Sequence, residues 1–160
     1  THRLAEAEPL MQRALAIDEH SLGPDHPKVA TDLNNLALLL QDTHRLAEAE
    51  PLMQRALAID EHSLGPDHPK VATDLNNLAL LLQDTHRLAE AEPLMQRALG
   101  ILLNSTRCMR YEHPHLRTVI ENYTHTLKAL GQSEEDIEVE LRKRLAEHKI
   151  QNEHALLTGQ

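Results

Sequence analysis

A 42-residue unit occurs twice in this chain, and the start of a third copy follows, with no substitution between the copies. Residues 1–57 are identical to residues 43–99, so the unit 1–42 recurs as 43–84 and its start recurs as 85–99. After residue 99 the sequence diverges, although residues 112–130 still follow the pattern of residues 25–43. Such a period predicts an array of stacked units, because one unit is too small to bury its own apolar side chains.

Each unit contains two helical patterns separated by a break. In the first, apolar residues recur at steps of three and four, and the pattern ends at Gly23 and Pro24, which stop helices. The second begins near Pro27, a residue suited to the first helical turn, and ends near Asp42. Short links require antiparallel neighbours. The sequence therefore predicts no strands and seven helices, at 2–22, 28–42, 45–64, 70–84, 87–106, 114–130 and 134–149.

The units also define the expected domain. We predict one array over 1–150, followed by a tail at 151–160 that either caps the array or is disordered. The units within the array are 1–42, 43–84 and 85–130, with a final helix at 134–149. A recent natural duplication and a designed array would have the same appearance in this sequence.

Composition limits the partners. The chain has no Phe or Trp and a formal net charge of −9. Nucleic-acid binding relies on Lys and Arg, and on aromatic stacking for single strands, so no nucleic-acid partner is expected. An anionic membrane is disfavoured for the same reason, and the longest apolar run, residues 36–40, is too short to cross a bilayer. A single cysteine, Cys108, excludes an internal disulfide and fits a cytoplasmic, reducing compartment.

The sequence offers little for catalysis or metal binding. Equivalent histidines on stacked units would lie roughly 10 Å apart, whereas zinc ligands lie about 2 Å from the metal. His26 and His68, each next to proline at a helix start, are interpreted as caps. Cys108 and His113 lie in or near an irregular link, and neither a phosphate loop nor a nucleophile elbow is present. We predict no catalytic residue, no metal and no cofactor.

Three segments, LNNLALLL, RLAEAEPLMQRALAI and SLGPDHPKVAT, together resemble the 42-residue tetratricopeptide repeat of kinesin light chains. The resemblance covers about 1–130 and implies an all-α, right-handed superhelical solenoid of antiparallel helix pairs. In that motif, large and small apolar residues alternate so that paired helices approach closely. In the family's pairing, the helix that begins near Pro27 is the first helix of a pair, and the opening helix of the next unit is the second. The matching residues are Leu33, Leu36, Ala37 and Leu40 on the first helix and Ala49, Met53 and Ala56 on the second.

Two features of the units need explanation against this family. It usually has Gly between the helices, where this chain has His44 and His86. Histidine enters the left-handed backbone region less cheaply than Gly, so we expect slightly strained or altered turns there without a change of fold; the last unit keeps a glycine, Gly131. Pro9 and its two copies lie near the second turn of their helices, where proline removes a hydrogen bond. The family tolerates this proline, and we expect a continuous helix with a mild kink.

The resemblance also implies a site, because in this family the first helix of each pair lines a concave groove. Asparagine offers a donor and an acceptor, so a row of Asn could pair with the backbone of an extended peptide. The alternative is that these Asn are solvated or bonded to a neighbouring unit. We therefore predict a non-catalytic protein–protein interaction scaffold. Its predicted peptide-binding residues are Thr31, Asn34, Asn35, Leu38 and Gln41, then Thr73, Asn76, Asn77, Leu80 and Gln83, and in the last unit Asn122 and His125.

Charge refines the expected partner. Kinesin light chains are associated with acidic cargo peptides, but the groove positions here hold no Lys or Arg before Lys128. Each complete unit has three basic and seven acidic residues. A neutral or basic peptide is therefore the better electrostatic match.

Self-association is the alternative function. The chain opens on the second helix of a pair, so Leu4, Ala7, Met11 and Leu15 would be partly uncovered. An exposed apolar stripe favours a partner, and identical units favour swapped or end-to-end contacts. A homodimer through the N-terminal helix is the form that we expect such association to take.

Overall fold

The computed structural model describes residues 2–109 and 112–148, with side chains from residue 6 onward. Within these residues the chain is helical and contains no strand, which confirms the predicted class. The helix bounds agree with the predicted ones within three residues, and the predicted tail lies outside the described residues. The helices are α1 His2–Leu22, α2 Pro27–Asp42, α3 Leu46–Leu64, α4 Pro69–Asp84, α5 Leu88–Met109, α6 Leu116–Ala129 and α7 Glu134–Glu147.

Side-chain caps begin three of these helices. Nδ1 of His26 accepts a hydrogen bond from the backbone N–H of Lys28 at 3.1 Å, and His68 repeats this cap on α4. The hydroxyl of Ser133 accepts from the N–H of Asp136 at 3.1 Å, and three acidic residues follow in the first turn of α7. The interpretation of the histidines as caps is therefore confirmed, and each cap satisfies one N–H that a helix start leaves free.

Left-handed residues make the short turns between α2 and α3 and between α4 and α5. His44 and His86 have φ of 60° and 58°, and Gly131 has φ of 87° at the corresponding place after α6. The turn lets the N–H of Arg45 donate to the carbonyl of Leu40 at 2.8 Å, closing the end of α2. The turns keep the form of the glycine turn after α6, where the N–H of Gln132 donates to the carbonyl of Leu127 at 3.1 Å, so the expected strain is confirmed and the turns are not altered. Each costs the backbone about 1–2 kcal/mol that a glycine would not pay.

The three prolines of the repeated stretch lie inside continuous helices. Pro9 is within α1, Pro51 within α3 and Pro93 within α5. The predicted continuity is confirmed, while the mild kink stays a prediction. The repeated stretch is therefore a structural element, the second helix of each pair.

Small residues let the helices pack closely. Val29, Ala30 and Leu33 of α2 pack with Ala56 and Ile59 of α3, and all five are fully or almost fully buried. Another set on α3 belongs to a larger core that continues through α7. A second helix such as α3 therefore has two apolar faces, one toward its own first helix and one toward the rest of the array.

α1 has the sequence of α3 but no described helix before it. Of its predicted uncovered residues, the three with described side chains are half-buried, and Leu4 lies outside the described side chains. The more open apolar side chains are Leu10, at 67% exposure, and Ile17, at 53%. Their copies Leu52 and Ile59 pack against α2. Leu10 and Ile17 were not predicted to be uncovered, because in the sequence they belong to the same wide apolar stripe as Met11 and Leu15.

Ion pairs connect the second helices of neighbouring pairs, α1 to α3 and α3 to α5. Nη1 of Arg45 lies 2.7 Å from Oε2 of Glu8, and Arg87 and Glu50 repeat the pair at 2.8 Å. Arg55 reaches Glu19 at 2.6 Å, and its copy Arg97 reaches Glu61. The arginine side chains are about 40% exposed, so each ion pair adds little to stability. Their main effect is to fix the register between neighbouring units.

Candidate peptide-binding face

Polar side chains link the first helices, α2, α4 and α6, to one another. Nδ2 of Asn34 donates to Oδ1 of Asp74, joining α2 to α4. Nδ2 of Asn122 donates to Oδ1 of Asn76 at 2.9 Å, joining α6 to α4. The partners are 40 and 46 residues apart in the chain, so both bonds connect neighbouring units. The three first helices therefore lie side by side, as a continuous face requires.

The same pattern continues toward the helix ends. Nε2 of Gln41 donates to Oδ2 of Asp84 at 2.6 Å, and Nε2 of Gln83 donates to Oγ1 of Thr126 at 2.8 Å. Nδ1 of His125 lies 3.2 Å from Oε1 of Gln83. We call these bonded side chains the polar row. They hold neighbouring first helices at a fixed offset.

Seven of the twelve predicted binding residues therefore bond to a neighbouring unit. This is the alternative that the sequence analysis left open for Asn. The seven are Thr31, Asn34, Gln41, Asn76, Gln83, Asn122 and His125. Within the described part of the chain, no hydrogen bond to a neighbouring unit involves the other five, which are Asn35, Leu38, Thr73, Asn77 and Leu80.

Four of these five residues, together with the aspartate that follows each set, form a regular pattern, which we call the open row: Asn35, Leu38 and Asp42 on α2, and their copies Asn77, Leu80 and Asp84 on α4. Asp84 also belongs to the polar row, because it accepts from Gln41. Steps of three and four residues place each set on one side of its helix. Asn35 is exposed and Leu38 is 40% exposed, while Asn77 and Leu80 are half-buried. The predicted residues of the open row therefore have accessible surface and no hydrogen bond to a neighbouring unit, whereas His125, which is also exposed, contacts Gln83.

The charge of this face is negative. Asp42, Asp84 and Glu121 are exposed. Lys128 at the other end of α6 is paired with Glu134 at 2.6 Å, and this contact lowers the pKa of Glu134. The face therefore presents carboxylates and amides around apolar Leu38.

A buried acidic pair lies beneath the polar row. Asp60 of α3 and Asp74 of α4 have exposures of 0% and 1%. Nζ of Lys70 lies 3.0 Å from Oδ2 of Asp60. Burial, followed by the neighbouring Asp60 carboxyl, raises the pKa of Asp74 to about 7. The sequence analysis missed this pair, because it considered only the acids at the surface.

The positions equivalent to this acidic pair differ in the first and last units. In the first unit Lys28 bridges Asp18 at 3.0 Å and Asp32 at 2.7 Å, but the lysine side chain is 51% exposed. There the contacts with Asp32 and then Lys28 lower the pKa of Asp18. In the last unit the positions of the acids hold buried Leu102 and Val119. This exchange of an acid pair for an apolar pair was visible in the sequence and could have indicated that the site is interior.

A cavity of about 420 Å³ lies among α5, α6 and α7. Its lining carboxylates already have partners: the hydroxyl of Tyr123 donates to Glu92 at 3.1 Å, and Glu140 is bound to Arg144 at 2.6 Å. The cavity is separate from the open row and adds nothing to it. Its residues are Glu92, Gln96, Tyr123, Leu127, Gln132, Asp136 and Glu140.

Over 2–109 and 112–148, no three His, Cys, Asp or Glu side chains are placed so that they could hold a metal ion. The rings of His113 and His115 have centroids 5.6 Å apart, and burial together with that neighbour lowers the pKa of His113. Among the described helices, none is long and apolar enough to cross a membrane.

Comparison with known proteins gives a family and a fold. The family model for the tetratricopeptide repeat matches residues 1–62 and 30–104. No curated protein matches the chain. The crystal structure of BtubC (BKLC) from P. vanneervenii superposes with a TM-score of 0.74 at 21% identity, over 99% of this chain. This chain spans 58% of the length of that protein.

Two structures of a second protein are equally similar. A putative kinesin light chain from Podosopora anserina with nearly identical TPR-like repeats has a TM-score of 0.74 at 22% identity. The superposition covers 98% of this chain and 84% of that one. A singly substituted variant of it also has a TM-score of 0.74, at 21% identity over 99% and 85% of the two chains. At these identities the similarity shows a shared solenoid fold.

Proposed function

Because the chain belongs to the tetratricopeptide repeat family, whose fold is generally a scaffold for protein–protein interaction, we propose that it binds an extended partner segment along α2, α4 and α6. The observation that supports this function is the open row. Polar and apolar groups recur there at equivalent places on neighbouring helices, and the polar row holds those helices side by side.

The spacing of the open row fits an extended peptide. Packed helices lie about 8–10 Å apart, and an extended chain advances about 3.3 Å per residue. Asn35 and Asn77 are thus separated by roughly three peptide residues. An amide side chain can donate to a peptide carbonyl and accept from a peptide N–H. This arrangement contacts the backbone once per unit and makes little demand on the peptide sequence.

The partner is neutral or basic. Asp42 and Asp84 end the open row, and Glu121 adds a third exposed carboxylate on α6. A basic segment would be attracted to this face, while an acidic segment would be repelled. Leu38 offers an apolar contact for one side chain of the partner.

Replacing both open asparagines, Asn35→Ala with Asn77→Ala, should weaken peptide binding about tenfold, since each lost hydrogen bond is worth about 0.5–1.5 kcal/mol. The measurement is fluorescence anisotropy with the tightest peptide from an array of equal-length peptides that differ in net charge. Gln12→Ala with Gln54→Ala is the matched control, because these amides are exposed copies on α1 and α3.

Unchanged binding by the asparagine double variant would remove the open row as the site. A preference of the wild-type protein for acidic peptides would contradict the charge argument. Unfolding in urea should be nearly the same for the wild type and both double variants, which shows that the fold is retained.

A second candidate function is self-association through α1, favoured by the exposure of Leu10 and Ile17. If a second copy covers this face, the molar mass measured by light scattering should rise with concentration. Leu10→Ser with Ile17→Ser should keep the protein monomeric. Leu130→Ser is the control: it replaces an exposed leucine at the end of α6, away from α1, and should leave the self-association unchanged. A wild-type protein that is monomeric at every concentration would remove this candidate.

A further inference from the structure

The buried acidic pair has more acceptors than donors. Nζ of Lys70 donates to Oδ1 of Asp60 at 3.3 Å, to the carbonyl of Pro27 at 3.0 Å and to Oγ1 of Thr31 at 2.9 Å. An ammonium group has three N–H bonds, so these contacts use all of them. Oδ2 of Asp60 lies 3.0 Å from the same Nζ, as an ion-pair contact without hydrogen-bond geometry. Within the described residues, Oδ2 of Asp74 receives no hydrogen bond at all. A buried carboxylate oxygen without a donor is costly.

We propose that Asp60 and Asp74 share one proton in the folded protein, and that release of this proton loosens the packing between the first two units. One shared proton supplies the missing donor. It also balances the charge, because a single ammonium then faces a single negative charge. The pair is thereby a pH-sensitive element inside the array.

The groups around the pair leave few other ways to balance it. Asp60 comes from α3, and Lys70 comes from the same helix as Asp74. These are the charged groups that act on Asp74 among the described residues. From α2 the pair receives only Asn34, a neutral amide that donates to Oδ1 of Asp74. Loss of the proton would place a second negative charge against Asp60 with no further cation to offset it.

The proton also connects the interior to the polar row. Asp74 accepts a hydrogen bond from Asn34, and Lys70 donates one to Thr31. These two residues of α4 therefore bind α2 directly. If repulsion moves Asp74 away from Asp60, these contacts between α2 and α4 must adjust. Because α2 and α4 carry the open row, its spacing would change as well.

The direction of the pH effect follows from the folded pKa of Asp74. That pKa is about 7, whereas the ordinary pKa of an aspartate is 3.8. Between these values the folded state holds a proton that the unfolded state has released, so stability falls as pH rises. The loss is complete above about pH 7. Below the ordinary pKa, protonation of other carboxylates destabilises the fold, so we expect greatest stability at mildly acidic pH.

The first unit provides a matched control. Asp32 is the copy of Asp74 in an identical sequence, but its lysine partner is half exposed. The histidines of the chain are the same in every variant, so their contribution to the pH dependence is common to all of them. The difference between Asp74→Asn and Asp32→Asn therefore isolates the buried pair.

Urea unfolding of the full chain should be followed from about pH 5 to about pH 8. Between these two pH values the unfolding equilibrium constant of each protein will change by some factor. In the wild type and in Asp32→Asn this factor should be at least about tenfold larger than in Asp74→Asn. Equal pH dependence in all three proteins would overturn the proposal.

Two further measurements avoid dependence on one variant. Asp60→Leu with Asp74→Val copies the apolar pair of the last unit, and it should remove the same part of the pH dependence while keeping the helical circular dichroism signal. In the wild type, carboxyl carbon NMR should show one aspartate titrating near neutral pH, absent from Asp74→Asn. Titration of every aspartate below about pH 5 would refute the shared proton directly.

Discussion

Replacing Tyr123 by alanine should lower the free energy of unfolding by about 3–5 kcal/mol, the range for a buried aromatic residue. Tyr123 is 1% exposed on α6 and belongs to the core shared with α5 and α7. Its hydroxyl donates to Glu92 on α5, and the guanidinium of Arg144 on α7 lies 5.8 Å from its ring centroid. One side chain therefore holds the two helices of the last unit and the final helix together, in a chain with no Phe or Trp.

Urea unfolding followed by circular dichroism measures this loss, and Tyr123→Phe is its control. The phenylalanine variant keeps the ring and loses only the hydrogen bond, so it should cost about 1 kcal/mol. Burial raises the pKa of Tyr123 to about 12, so the hydroxyl remains a donor throughout the accessible pH range. If both variants were equally stable, the ring would not be part of the core.

Met53→Ala should destabilise the protein by about 2–4 kcal/mol, whereas Met11→Ala should cost clearly less. The two methionines occupy the same place in identical sequences. Met53 on α3 is fully buried, while Met11 on α1 is half-buried because α1 has no described helix before it. Only the setting in the stack differs, so the comparison measures what a neighbouring unit adds.

Thermal and urea unfolding of the two methionine variants provide the measurement, with Met95→Ala as a further check. Met95 is fully buried like Met53, so its loss should be similar to that of Met53→Ala. An equal cost for Met11→Ala and Met53→Ala would contradict the account of α1 as an incompletely covered helix.

The fold could be predicted from the sequence because its determinants are local and repeated. Periodic apolar residues placed the helices, and Gly23, Pro27 and Ser133 placed their ends. The family pattern at Ala49, Met53 and Ala56 identified the close helix contacts that the structure shows as buried. α5 extends to Met109, past its predicted end, because residues 100–109 lack the Gly-Pro stop of the earlier units.

The candidate site could be predicted only in part. The first helices were identified, but the hydrogen bonds that occupy Asn34, Asn76 and Gln83 join residues 40 to 46 positions apart, in neighbouring units. Burial of Asp74 has the same origin. Its sequence neighbours are those of Asp32, so no local pattern distinguishes the two, and only their positions in the stack set them apart.

Because the arginine ion pairs repeat from unit to unit, a change in the number of units would leave each ion pair with an equivalent partner. Residues 85–99 repeat residues 43–57, so loss of residues 43–84 would place Arg87 against Glu8 and Arg97 against Glu19, in the sequence context that Arg45 and Arg55 have now. Unequal recombination between copies of the coding sequence could therefore add or remove whole units without creating a new interface. The number of units, and with it the reach of the open row, can evolve separately from the chemistry of each contact.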